Sequence, residues 1–392
     1  MNVTGRIDRA SPSDVAMLAM GAAGSLSQRA GAVLLLEPGP EFEVTRISAL
    51  LAEWIRSVPR LRRRLVRVPF GGGRPVWVDD PRFDLRLHVR EVKCPAPGDE
   101  PALLDVAAAV LTGPLPPSRW TALFVTGLSD GAVALIVVLD HVLADGIGGL
   151  ALLAALADPA QRPAPTGFPQ PPPSLPRLAA DAFTERLRSI GRVRTFWRDA
   201  KTALAATGGL RPEPIARCSL LRPTGQRRTF AVVRTGLAPL RAVAHRHGCT
   251  VNDALLTVIT GALSRLLERR GEHVGALSVS VPVSARRSTT SSELGNRFGV
   301  LIAALPTTGD PAHRMARITA LLAGRKKQAA IASAADLFGP LFRLLAALGL
   351  YRRYLRRQRR IHTLVSNVRG PDSIPDLDEL IAYLHDELAG IT

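Results

Sequence analysis

Cysteine is scarce in this chain. Cys94, Cys218 and Cys249 are the three present, and they form neither a CxxC pair nor a Cys/His cluster at ligand spacing, which excludes a disulfide framework and a cysteine-based zinc site. Long apolar runs are missing as well: none reaches the roughly 20 residues that a helix needs to cross a bilayer. The opening stretch, "MNVTGRIDRASPSD", is polar and charged where a secretory leader needs an apolar core, so the chain is expected to be cytoplasmic. Lysine is nearly absent, with Lys93, Lys201, Lys326 and Lys327 the only ones among 51 basic residues. The net charge of +18 attracts polyanions in general. However, an arginine excess beside abundant alanine, proline and glycine is what GC-rich coding yields, and no helix-turn-helix, zinc finger or aromatic platform accompanies it, so no nucleic acid is an expected partner. No period of about 20–50 residues recurs, which argues against a solenoid.

What the chain does contain is enough apolar residue, 46% of 392, to bury a large core, and its length favours two domains over one. Residues 32–36, "AVLLL", and 131–139, "GAVALIVVL", are short leucine-rich and β-branched runs bounded by turn residues, the pattern of buried strands. Between them, "ALLAEWIRSVPRLRRRLVRV" has helical character up to Pro59, and "PFGGGRPVWVDDPRFDLRLHVR" reads as a glycine turn leading into strands. The first part is therefore mixed α and β. The proline density of "DPAQRPAPTGFPQPPPSLP" suits neither a helix nor a central strand, and such a segment makes a semi-rigid extended linker. This divides the chain into residues 1–158, a linker at 159–176, and residues 177–392. The second part offers a helical region from Arg177, a strand candidate "RRTFAVVRTGL", two helical patterns parted at Gly248, and a strand "GALSVSVPVSARR".

The stretch "VALIVVLDHVLADGIGGLALLAALAD" places His141 at the junction between a strand and a helix. A side chain at such a point is held by the sheet yet can face a cleft. Asp145 follows four residues later, where a carboxylate can accept helix-start N–H bonds or pair with an arginine, and Gly146 allows a close backbone approach. On its own the pattern His-x-x-x-Asp-Gly is weak, expected by chance in about one chain in thirty of this length.

In this stretch and beyond it, the sequence resembles the wax ester synthase/diacylglycerol acyltransferase family of the chloramphenicol acetyltransferase and condensation-domain superfamily. That family's motif is HHxxxDG. Here "DHVLADG" puts Asp140 at the first histidine and His141 at the second, which corresponds to the family's base. "SPSD", "VPRLRRRLV", "GRPVWVDDPRFDLRLHVR", "TVNDALLTVITGAL", "VPVSARR", "LGNRFG" and "SNVRGP" resemble family segments in the same order over nearly the whole chain.

The resemblance implies an α/β fold with mixed (α+β) sheets: two chloramphenicol acetyltransferase-like subdomains with a tunnel between them. It also implies transfer of a long-chain acyl group from acyl-CoA to a hydrophobic alcohol, diacylglycerol or a fatty alcohol, giving triacylglycerol or wax ester. His141 would take the hydroxyl proton, which suits an imidazole, and return it to the leaving thiolate. Acyl-CoA is then a co-substrate, and neither a cofactor nor a metal is needed. Candidate oxyanion donors are Asn252, Ser366 and Asn367. Asn252 and Asp253 also precede a helix, where capping is an equal reading. Arg286 is either a partner of Asp145 or a solvated arginine. His88, His245 and His247 have no carboxylate or cysteine partners at ligand spacing and read as structural or exposed.

The apolar stretch ending in arginines from Asp336 to Arg360 suits a peripheral contact with the inner face of the plasma membrane or a lipid droplet. After "SNVRGPD" the chain runs straight into "SIPDLDELIAYLHDELAGIT", so the second subdomain is expected to be shortened after residue 372. A catalytically weakened or inactive homologue acting as a lipid-binding protein is the alternative to an active enzyme.

Overall fold

The computed structural model describes residues 7–22, 29–36, 51–52, 55, 58–69, 72–144, 148–149, 167–190, 215–222, 225, 227–284, 298–323, 350 and 360–368. Helix α1 (Pro12–Ala22) and strand β1 (Arg29–Leu36) come first. A single 3-10 turn at Pro59–Arg62 leads into β2 (Arg63–Val66), which pairs antiparallel with β3 (Val76–Asp79). Then follow β4 (Val89–Lys93), α2 (Glu100–Thr112), β5 (Trp120–Thr126) and β6 (Val133–Asp140).

Four of these strands form one sheet in the order β1-β6-β5-β4, antiparallel except for the parallel β4/β5 pair. A parallel pair needs a crossover, and α2 supplies it. Asp99 starts that helix by accepting the Ala102 N–H at 3.0 Å, and Gly113 ends it. The two central strands are apolar almost throughout because both faces are covered. Alternate residues separate cleanly: Trp120, Phe124, Leu135, Val137 and Leu139 pack with Leu51, Ile55, Leu61 and Trp77 on one side, while Leu123, Val125, Ile136 and Val138 pack with Leu103 and Ala107 of α2 on the other.

The second part contains α3 (Leu175–Ile190), α4 (Leu237–Arg246), α5 (Val251–Glu268), β7 (Ala276–Ser284), β8 (Phe298–Pro306), α6 (Pro311–Leu322) and β9 (Thr363–Leu364). Its sheet runs β8-β7-β9, with β7/β8 antiparallel and β7/β9 parallel. Leu277, Val279, Val281, Leu301, Ala303 and Leu305 meet Leu256 and Leu267 of α5 and Ile318 and Leu322 of α6 in a second core. Gly248, at φ +60°, separates α4 from α5, a backbone conformation glycine adopts without steric cost.

Two expectations change. "RRTFAVVRTGL" carries no strand: residues 227–236 take no regular structure and Val233 is 93% exposed. β-branched content makes a strand only where a neighbouring edge supplies the ladder. The linker, for its part, gives way to helix at Leu175, with Pro176 in the first turn, where its missing N–H costs nothing. Although it lies at the start of the second part, α3 is fastened to the first: Arg9 Nε pairs with Asp181 at 2.6 Å, Arg9 Nη2 donates to the Leu178 carbonyl at 2.8 Å, and Arg74 pairs with Glu185. The segment 336–360, apart from Leu350 and Arg360, and everything after residue 368 lie outside the described residues. No helix among the described residues is long and apolar enough to cross a membrane.

Candidate active site

The site is built from the last residue of β6. Asp140 donates its N–H to the Arg119 carbonyl at 2.9 Å, closing the β5/β6 ladder. Its carbonyl then accepts the Leu143 N–H at 2.8 Å, and its Oδ1 accepts the Val142 N–H at 3.0 Å. This is a turn with a side-chain bond across it, the arrangement for which aspartate is favoured. Oδ2 accepts from Arg119 Nη1 at 2.8 Å. Arg119 adopts φ +64°, unusual for a residue with a side chain. Arg29, opposite Asp140 on β1, donates to the Leu111 carbonyl at 2.7 Å. Burial pushes the pKa of Arg29 down, and the Asp140 charge opposes that shift.

The consequence for Asp140 is specific. Where the family motif has a first histidine, this chain has a carboxylate whose two oxygens are engaged by an arginine and a backbone amide. It holds the turn on which His141 stands. Immediately after His141 the chain plunges inward, with Val142, Leu143 and Ala144 at 0, 1 and 2% exposure and the first two joined to the core under the sheet. His141 is half-buried at the rim of that core, with its Nδ1 enclosed. Asp145, Gly146 and Arg286 lie outside the described residues.

The second part supplies two further places. Thr250 caps α5: its Oγ1 accepts the Asp253 N–H at 3.2 Å, and Asp253 Oδ2 accepts from the Thr250 N–H at 3.1 Å and from its hydroxyl at 2.7 Å. Asp253 is 3% exposed and closes a capping box. Asn252, half-buried, sits beside it in the first turn. Ser366 and Asn367 are exposed just beyond β9. That strand is held to β7 by the Val365 N–H on the Ser280 carbonyl at 2.9 Å and by His362. His362 Nδ1 accepts the Ser278 N–H at 2.9 Å while Nε2 donates to the Ala216 carbonyl at 2.8 Å.

Sequence reasoning passes over Thr250, although Thr-x-x-Asp before an apolar run is a capping signal, and over Arg119 and His362, whose partners only the fold reveals. His88 is buried, stacked between Phe83 and Trp120 with ring centroids 4.9 and 4.4 Å away, and its Nδ1 donates to the Trp120 carbonyl at 2.9 Å. His245 and His247 are exposed at the end of α4. Among the described residues, no group of three His, Cys, Asp or Glu could hold a metal ion.

Comparison with known proteins adds to this geometry. The wax ester synthase/diacylglycerol acyltransferase catalytic domain matches residues 10–255, and the C-terminal domain of the same family matches residues 294–377. A Mycobacterium tuberculosis protein named as a probable diacylglycerol O-acyltransferase is 32% identical over 366 residues, covering 87% of this chain and 76% of that protein. The structure of the wax ester synthase/diacylglycerol acyltransferase from Marinobacter aquaeolei superposes with a TM-score of 0.58 at 23% identity, covering 93% of this chain and 82% of that one. The first condensation domain of the calcium-dependent antibiotic synthetase superposes at 0.58 with 20% identity, covering 86% and 79%. These two structural likenesses concern the fold.

Proposed function

This chain belongs to the wax ester synthase/diacylglycerol acyltransferase family, and on that premise we propose that it transfers a long-chain fatty acyl group from acyl-CoA to diacylglycerol or a fatty alcohol, with His141 as general base. The observation that carries the reading is the position of His141: the imidazole stands at the C-terminal end of a buried strand, on a turn braced by Asp140, with Nδ1 enclosed. Nε2 is then the nitrogen that takes the proton.

The alcohol oxygen attacks the thioester carbonyl as its proton passes to His141, forming the C–O bond and a tetrahedral oxyanion. Collapse of that intermediate breaks the C–S bond. The imidazolium returns the proton to the coenzyme A thiolate, leaving ester and free thiol with no covalent enzyme intermediate. General-base assistance of this kind is worth about 10²–10⁴ in rate, and alignment of two large substrates in a dry site can supply more. Asn252, Ser366 and Asn367 are the candidate oxyanion donors. Asp145, Gly146 and Arg286 complete the proposed set from the sequence and lie outside the described residues. The lipid substrates favour a peripheral position on the inner face of the plasma membrane or a lipid droplet.

The test is coenzyme A release from palmitoyl-CoA, with and without diacylglycerol or hexadecanol. Release that depends on the alcohol and falls about 10²–10⁴-fold in His141→Ala is expected. Undiminished release in that variant refutes the base assignment. Binding of palmitoyl-CoA without release by the wild type makes the chain a lipid-binding homologue instead.

A further inference from the structure

Arg119 holds a backbone conformation that costs energy. At φ +64° it lies in the left-handed region, with its N–H on the Pro116 carbonyl at 2.8 Å and its own carbonyl accepting the Asp140 N–H at 2.9 Å. For a residue with a side chain this conformation costs about 1–2 kcal/mol, and for glycine it costs nothing. Both main-chain bonds would survive a change to glycine. The side chain contributes the ion pair of Nη1 with Asp140 Oδ2 at 2.8 Å, and at 34 and 19% exposure that pair adds about 0–1 kcal/mol of stability. Stability alone therefore does not offset the strain. Strain kept where the fold could shed it points to function.

That function lies at the next residue. Asp140 directly precedes His141, and with consecutive Cα atoms about 3.8 Å apart its carboxylate stays within about 12 Å of the imidazole whichever way the two point. An unbalanced carboxylate at that range favours a protonated imidazole, whereas a general base has to be free of its proton near the working pH. Other charged or titratable groups meet at this end of the sheet, and each is engaged elsewhere. Arg29 on β1 donates to the Leu111 and Gly113 carbonyls at the end of α2. His88, before β4, is stacked between Phe83 and Trp120, and burial pushes its pKa down. In the 3-10 turn, Arg60 pairs with Asp8 and Arg62 lies over the Phe168 ring. Arg119 is the cation in contact with Asp140. We propose that Arg119 is a positioning residue for the reaction: acting through Asp140, it cancels the charge that this chain carries beside its base. The inference rests on the reading of His141 as that base.

The test is titration of the His141 ring, read by NMR on the histidine-labelled full chain and assigned by the signal lost in His141→Ala. Arg119→Gly leaves the carboxylate unbalanced and should raise the midpoint by about half a pH unit, for an effective dielectric constant of about 40. Asp140→Asn leaves the arginine unbalanced and should lower it by about as much. The double variant should return to the wild-type midpoint, and Arg119→Lys, which keeps the charge, should stay near it. Arg119→Gly should melt with the wild type or above it, because it sheds the strain. The acid limb of kcat/KM on palmitoyl-CoA and hexadecanol should follow the ring, about 3-fold lower in Arg119→Gly and about 3-fold higher in Asp140→Asn. A purely structural role would instead lower the rate at every pH and leave the limb in place, which overturns the proposal. So do midpoints unmoved in both single variants, shifts of the same sign, or a melt of Arg119→Gly clearly below wild type. Opposite shifts in a protein that releases no coenzyme A reject the enzymatic reading and leave the balance of charge standing.

Discussion

Replacing Asp140 tests how the site is held. In Asp140→Ala the Val142 N–H, in a residue at 0% exposure, loses its acceptor at 3.0 Å, and a buried amide left without a partner costs about 1–3 kcal/mol. The same change removes the Arg119 ion pair at 2.8 Å, whose side chains are 34 and 19% exposed. At that exposure solvent screening limits the pair to about 0–1 kcal/mol. The sum is about 2 kcal/mol, a shift of about 4–8 °C in the melting of a unit of about 150 residues. Asp140→Asn keeps an oxygen for the amide and gives up only the charge, so it should cost about 1 kcal/mol or less.

The assay is a thermal melt of the three proteins alongside coenzyme A release. Alanine should be clearly the least stable and should also lower turnover, because the turn under His141 is loosened, while asparagine should stay near wild type in both. Restoring the family's residue, Asp140→His, should not help here. A histidine cannot accept the Val142 amide in the same geometry, and its neighbour Arg119 would face no carboxylate. Equal melting of the alanine and asparagine variants would show that charge, not the amide acceptor, matters at this position, and the account of the turn would fail.

Two further outcomes follow from buried polar groups. Burial pushes the pKa of His88 below the ordinary 6.5, against the weaker raising effects of the Trp120 carbonyl and of Asp80 and Asp84. The unfolded chain therefore binds a proton that the folded chain does not, and the stability this group contributes is full above pH 6.5 and is lost as pH falls below it. His88→Gln should be less stable than wild type at pH 8, with a gap that narrows toward pH 5; a constant gap across melts in this range contradicts the reasoning. Thr250→Ala should cost about 1 kcal/mol by removing the α5 cap, and a melt identical to wild type would show that the capping box contributes nothing.

What was legible in the sequence follows from how local each determinant is. Strands β1, β6 and β7 announce themselves because strands covered on both faces or packed on a core must be apolar or β-branched, and Gly248 marks the α4/α5 break because few residues accept its φ of +60°. The segment 227–237 has the same composition as a strand and is not one, since pairing depends on a neighbour that the local sequence does not encode. In the site, the end of a buried strand just before His141 is readable from the pattern. Arg119 as the partner of Asp140 is not, because it requires the register that sets Asp140 N–H on the Arg119 carbonyl. Asp253 as a capping residue is readable from Thr-x-x-Asp alone.

The histidines themselves show why position in the fold outweighs residue type. His88 spends Nδ1 on the Trp120 carbonyl and its ring faces on two aromatics. His362 spends both nitrogens on main-chain groups, one of them the Ser278 amide, and so acts as a staple between β7 and the chain on either side of it. His245, His247, His273 and His313 are exposed on helix ends and loops, where no neighbouring strand fixes the ring. His141 alone among the described histidines is set at the end of a central strand, half-buried, on a turn that an ion pair and a buried amide hold in shape. A general base needs a fixed ring that substrate can still reach. A strand end meets both demands because the sheet constrains the backbone while the next residues carry the chain away from the side chain.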